Sequence, residues 1–129
     1  MFKKFFSSWS PAILWAGLIF YLSSLSVLPP TGNWFFDFIV PNLAHLTEYG
    51  ILFALIWRAR RNVFLSFVLT IIYALSDEFH QAFVPTRTAS LIDILVDIFG
   101  MIIAWLVIWK LLPKAPEKLK NWAKNWQII

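Results

Sequence analysis

Four apolar stretches divide the chain, and polar or turn-forming residues mark where each one stops. The first covers residues 10–28: Ser10 before Pro11 fits an N-cap followed by a proline at the first helical position, and Pro29-Pro30-Thr31-Gly32 ends it. The second covers residues 41–57 and stops at Arg58, the third residues 62–83 ahead of Pro85, and the fourth residues 90–112 ahead of Pro113. A helix needs about 20 mostly apolar residues to cross roughly 30 Å of hydrocarbon. The second stretch is short for that, and the other three reach it. The pattern predicts an all-α polytopic membrane protein, a bundle of four transmembrane helices forming a single domain over residues 1–129.

Two flanking segments carry a different periodicity. Phe2, Phe5, Phe6 and Trp9 fall on one helical face, and so do Leu119, Trp122, Ala123, Trp126 and Ile129, with Lys118, Lys120 and Lys124 off that stripe. Basic, Trp-bearing amphipathic helices lie on a membrane surface, so both ends are expected to be interfacial, the C-terminal one as a tail over residues 113–129. Lys3 and Lys4 followed by an apolar run resemble a signal peptide, but three further spans follow, which favours a retained first span. Gly17, Gly50 and Gly100 sit inside spans, where they permit close helix packing; there is no G-x-x-x-G pair and no internal repeat.

Composition narrows the class. Of 129 residues, 60% are hydrophobic and 14% charged, with mean hydropathy +0.70, whereas soluble domains carry about 25% charged residues. The absence of cysteine excludes disulfides, thiol catalysis and cysteine metal sites. Eight tryptophans and thirteen phenylalanines suit a lipid-facing chain with interfacial aromatic residues.

Charge placement supplies the orientation. Ten of eleven basic residues fall in three clusters: Lys3 and Lys4; Arg58, Arg60 and Arg61; Lys110, Lys114, Lys118, Lys120 and Lys124. In a four-span chain these lie on one side, which the positive-inside rule makes cytoplasmic. The expected location is therefore the cytoplasmic membrane, multi-pass, with both termini inside. The net charge of +4 then reflects topology and contact with anionic membrane lipids, not a nucleic-acid partner. The loops at residues 29–40 and 84–89 face outward, and Trp34, Phe35, Phe36 and Phe38 place the first of them in the interface.

Arg87 alone breaks the basic pattern, and six of the seven acidic residues lie between the clusters. Ionisable residues inside apolar helices are costly and mark candidate sites. His45, Glu48 and Tyr49 lie about one turn apart on the second span. Asp77, His80 and Gln81 share a face of the third, with Glu78 turned aside; Asp93 and Asp97 are i, i+4 on the fourth, with Ser90 one turn earlier. At 1.5 Å per residue all sit within roughly 10 Å of the outer boundary. Five carboxylates (Glu48, Asp77, Glu78, Asp93, Asp97) facing one arginine need protonation, a water-filled cavity or a bound cation. The bland reading is an interhelical hydrogen-bond network.

Three chemistries fit these residue types. General acid–base catalysis would use His80 or His45 with Glu78 and Asp93 as catalytic groups. A divalent metal would draw on His45-x-x-Glu48 and Asp77-x-x-His80, which place a histidine and a carboxylate one turn apart on facing helices. Anion recognition would use Arg87 as a clamp for a phosphate or carboxylate on a lipid or lipid-linked head group, with Gln81, Tyr49, Asp97 and Ser90 as further substrate contacts. An enzyme at the outer leaflet and a non-enzymatic lipid or antibiotic binder both remain open.

The run from Ser76 to Asp93, Ser-Asp-Glu-Phe-His-Gln-Ala-Phe-Val-Pro-Thr-Arg-Thr-Ala-Ser-Leu-Ile-Asp, continuing to Asp97 and Gly100, resembles the signature of the VanZ-like family. The upstream His45-Leu46-Thr47-Glu48-Tyr49 does too. The resemblance extends from Asn42 to Gly100, and its family positions fall on His45, Tyr49, Glu78, Gln81, Arg87, Asp93 and Asp97. It departs where the family often has Asp-Lys just before the histidine; Pro41 and Asn42 stand there. The resemblance implies a small multi-spanning membrane protein of bacterial type acting in the cell envelope. Its founding member is associated with low-level resistance to the glycopeptide teicoplanin, so a glycopeptide antibiotic or a lipid-linked cell-wall precursor is an implied partner.

Overall fold

Every regular element among the described residues is helical. Helix α1 spans Phe2–Ser23, α2 Val40–Arg60, α3 Val63–Gln81, α4 Leu91–Leu106 and α5 Glu117–Asn125. This computed structural model describes residues 2–26 and 29–129, with side chains from residue 6 onward. The expected end of the first span at Leu28 lies outside the described residues, as do the side chains of Phe2 and Phe5 of the N-terminal stripe. A π-helical turn, Phe35–Ile39, leads directly into α2; another, Val107–Leu111, continues α4 and passes into a 3-10 turn, Leu112–Lys114.

Three continuous helical stretches are long and apolar enough to cross a membrane: Phe35–Arg60, Val63–Gln81 and Leu91–Lys114. They contain or match the expected spans at 41–57, 62–83 and 90–112, the short one being lengthened by its π-helical entry. Local chemistry sets their ends. The Asn62 side chain accepts from the Leu65 N–H at 2.9 Å and the Ser90 hydroxyl from the Ile92 N–H at 3.2 Å, so each caps the helix that follows. Arg61 ends α2 in the left-handed region, its N–H donating to Trp57 O at 2.8 Å.

The first helix differs from expectation. It is continuous from Phe2, with Pro11 inside it instead of at its start. Proline cannot donate to the carbonyl four residues back, which here belongs to Ser7. A neighbouring helix compensates: Arg58 Nη1 lies 3.2 Å from Ser8 O and 3.5 Å from Ser7 O. Membrane helices accommodate proline when another group satisfies the freed carbonyl.

The interior is mixed: Ile19, Tyr49, Leu52, Phe53 and Met101 form an apolar core, polar side chains are buried beside it, and large apolar side chains also cover the outside. Ser23, Ser66, Thr70, Asp77, Glu78, Gln81 and Asp97 are buried, while Leu14, Phe64, Phe79 and Leu91 are exposed at 74%, 77%, 69% and 80%. Water would not tolerate that much contiguous apolar surface on a monomer, whereas lipid would. The buried hydroxyls of Ser66 and Thr70 donate back to Asn62 O and Ser66 O, each at 2.7 Å.

Interhelix contacts define the directions. Trp15 meets Glu48 O at 2.9 Å while Ser8 meets Arg58, and Phe67 lies tilted against Phe53 at 4.6 Å while Asp77 meets Tyr49, so α1/α2 and α2/α3 are antiparallel pairs. Helices α2 and α4 run in the same direction and approach most closely. A Cβ on Gly100 would collide with Leu46 O, and one on Gly50 would lie 3.1 Å from Gly100 O. Only glycine allows this approach, and it sets His45, beside Leu46, against the polar face of α4. Gly17 meets no such neighbour.

One end of the bundle gathers the N-terminal part of α1, the α2–α3 junction and the C-terminal tail. Arg58 Nε donates to Trp126 O at 2.8 Å, Arg61 to Gln127 O at 2.7 Å and Ile128 O at 3.1 Å, and Trp57 Nε1 to Ile128 O at 3.0 Å. The tail is thus tied down. Ala123 is buried and Ile128 and Ile129 pack on the core, while Leu119, Trp122 and Trp126 stay exposed. At the far end, Asp37 pins the loop before α2 by accepting from Thr31 N, Thr31 Oγ1 and Gly32 N, each at 2.9 Å. Trp34 stacks on Phe38 there, and both are exposed.

Candidate functional site

Away from the basic end, α1 to α4 and the α3–α4 hairpin bring their polar side chains together in two linked groups. The first centres on Asp77, which is 3% exposed. Its Oδ1 accepts from Ser23 Oγ of α1 at 2.6 Å; its Oδ2 accepts from Tyr49 Oη of α2 at 3.1 Å and from Gln81 Nε2 one turn along α3 at 2.9 Å. Asp77 therefore joins three helices. Gln81 passes the connection outward, because its Oε1 accepts from Arg87 Nη1 at 2.9 Å.

Arg87 reaches that position through a strained turn. Its N–H donates to Val84 O at 3.1 Å, with Pro85 next in the turn and Thr86 at φ 68. That third position normally takes glycine or asparagine, and a β-branched residue there is a backbone outlier. The guanidinium also donates to Leu25 O at 3.0 Å and Leu22 O at 3.3 Å, satisfying carbonyls at the end of α1.

The second group lies between α2, α3 and α4. His45 Nδ1 and Asp97 Oδ1 are 3.1 Å apart, with Asp97 fully buried. Glu78 Oε2 accepts from the Ser90 N–H at 2.8 Å, at the start of α4. Asp93 lies in the first turn of the same helix, and one ligand atom from each of His45, Glu78 and Asp93 falls within 4.8 Å of the others. Two buried oxygens, Glu78 Oε1 and Asp97 Oδ2, have no hydrogen-bond partner among the described residues. A cavity of about 280 Å³ is lined by Ser23, Asp77, Gln81 and Arg87 of the first group and by Glu48; it meets the second group at His45, while Glu78, Asp93 and Asp97 lie behind that ring and outside the lining.

The VanZ/LLP1 family model matches residues 5–113. The chain belongs to the VanZ/LLP1 family. No curated protein and no solved structure matches it. In this VanZ/LLP1 chain most of the expected site residues do converge. Tyr49, Gln81 and Arg87 join Asp77, and His45, Glu78, Ser90, Asp93 and Asp97 form the second group.

His80 does not join either group. It stacks on Phe20 with centroids 4.5 Å apart, and its Nε2 lies 3.0 Å from Ser24 Oγ, so it faces α1. The metal grouping expected from His45, Glu48, Asp77 and His80 also changes. Among the described residues the group with ligand spacing is His45, Glu78 and Asp93. Asp77 is already held by three donors, and Glu48 borders the cavity outside that group. The i, i+3 pair Asp77 and His80 does share a side of α3, but that side faces the end of α1 at Ser23, Phe20 and Ser24, whereas Glu78, turned aside from it, meets the start of α4 and joins His45.

Two contributors escaped sequence reasoning, Ser23 and Ser24. Short hydroxyl side chains at the end of an apolar span carry no periodic signal. Their depth, level with the acids of α3 once the spans are set antiparallel, was the available clue.

Proposed function

We propose that this VanZ/LLP1 protein is an integral protein of the cytoplasmic membrane, with four spans and both termini inside, whose outer-leaflet site acts on a lipid or lipid-linked envelope substrate. Resistance to teicoplanin-type glycopeptides would follow from such an envelope change. Supporting the topology, the basic segments sit at one end and the acid-rich groups away from it. In this reading His45, oriented by Asp97, carries the proton, and Glu78 and Asp93 face the reacting group. Guanidinium has five N–H donors. Among the described residues Arg87 uses three of its N–H groups on Gln81, Leu25 and Leu22, which leaves two for an anionic head group in the cavity it lines.

One observation carries the reading: among the described residues Glu78 and Asp97 each keep a buried carboxylate oxygen without a partner, beside His45, which lines the cavity. A purely structural network would satisfy those atoms. The second reading, a non-enzymatic lipid or antibiotic binder with a structural polar core, is favoured by the fully engaged Asp77. Complementation of a deletion strain separates the two. With Glu78→Gln or Asp93→Asn produced at normal level and normally folded, the lipid profile and teicoplanin susceptibility should revert to those of the deletion. Wild-type behaviour of both variants would sink the catalytic reading.

A further inference from the structure

His45, Glu78 and Asp93 come from three different helices, yet a ligand atom of each lies within 4.8 Å of the other two. Two independent details go beyond clustering. Glu78 is 4% exposed and its Oε1 is bare, although the same carboxylate's Oε2 is held by the Ser90 N–H at 2.8 Å. A buried oxygen of this kind is costly unless a positive partner reaches it. In addition, His45 Nδ1 is taken by Asp97 at 3.1 Å, which fixes the ring and leaves Nε2 as the open ligand atom. Metal-binding histidines are oriented by a carboxylate on the other ring nitrogen in this way.

We infer that His45 Nε2, Glu78 Oε1 and a carboxylate oxygen of Asp93 form a binding site for a divalent transition-metal cation, with Asp97 as the positioning residue. One imidazole nitrogen and two carboxylate oxygens suit Zn²⁺ or Mn²⁺. Ligand atoms about 2.1 Å from such an ion stand about 3–3.5 Å apart, so the group closes by roughly 1.5 Å on binding. Three protein ligands leave a coordination position for water or a substrate oxygen, as catalytic metal sites do. A charge of +2 also offsets part of the negative charge of Glu78, Asp93 and Asp97, for which Arg87 is the one nearby permanent cation among the described residues. The inference rests on the proposed site and changes one role in it: a His45 that ligates the cation through Nε2, with Nδ1 held by Asp97, would orient the cation and leave proton transfer to another group; binding can be measured without any substrate.

The test uses the full chain, purified in detergent and stripped of metal, with Mn²⁺ binding followed by electron paramagnetic resonance and Zn²⁺ binding by calorimetry. Wild-type protein should bind one ion saturably and gain thermal stability from it. Glu78→Gln and Asp93→Asn should lose both effects. Asp97→Asn should weaken binding about 10–100-fold while its metal-free unfolding stays cooperative, and Glu117→Gln at the opposite end should bind as wild type. If Glu78→Gln fails to fold, His45→Gln replaces it. Absence of saturable binding by wild type, or equal binding by Glu78→Gln and Asp93→Asn, would overturn the inference. An envelope phenotype lost in Glu78→Gln without any metal binding would leave the proposed site standing and remove only the cation.

Discussion

Asp77, Gln81 and Arg87 show how single residues carry several connections. Asp77 ties α1, α2 and α3; Gln81 donates to it and accepts from Arg87; Arg87 closes the end of α1. Asp37 does a comparable task from the π-helical turn before α2. Its two carboxylate oxygens take the Thr31 N–H, the Thr31 hydroxyl and the Gly32 N–H, each at 2.9 Å, and an amide would offer only one oxygen for these three donors. The loop at Thr31 and Gly32 should therefore loosen in Asp37→Asn. Hydrogen exchange at the Thr31 and Gly32 amides, corrected for intrinsic rates, checks this; protection unchanged in Asp37→Asn at pH 6 would contradict it. At this scale the sequence showed which residues matter more clearly than where each points. His45, Glu78, Asp93 and Asp97 stand out as ionisable groups in apolar helices. The direction of His80 depends on α1, whose Ser23 and Ser24 carry no charge to signal their part.

Among the elements, the α2–α4 contact governs the site, because it sets the separation of His45 from Asp97. Its basis is the glycine pair. Gly100→Ala should destabilise the protein by about 1–3 kcal/mol through overpacking, whereas Gly50→Ala, with more room, should cost less. Thermal unfolding in detergent ranks the two variants; equal stability of Gly100→Ala and wild type would contradict the close approach. Helix positions were legible from hydropathy, and the caps at Asn62 and Ser90 fall at the expected starts of the third and fourth spans. The start of α1 was not legible. Ser10-Pro11 reads locally as a helix start, and only Arg58, far away in sequence, makes an interior proline tolerable there. The tail likewise reads as a free amphipathic surface helix, since nothing local reveals that Arg58 and Arg61 hold its terminal carbonyls.

At the scale of the whole molecule, three helical stretches long and apolar enough to cross a membrane, polar side chains buried beside the core and large apolar side chains outside are compatible with a bundle in lipid. Separation of the basic end from the acidic groups gives that bundle a polarity. The functional proposal depends on which end faces outward, since an enzyme of the outer leaflet must present Arg87 and its cavity there. The chain has no cysteine, so single cysteines report position without background. Thr88 lies in the exposed α3–α4 hairpin and Lys124 is exposed on α5. In intact cells a membrane-impermeant maleimide should label Thr88→Cys and should label Lys124→Cys only after permeabilisation. Labelling of Lys124→Cys in intact cells, or protection of Thr88→Cys until permeabilisation, would contradict the account.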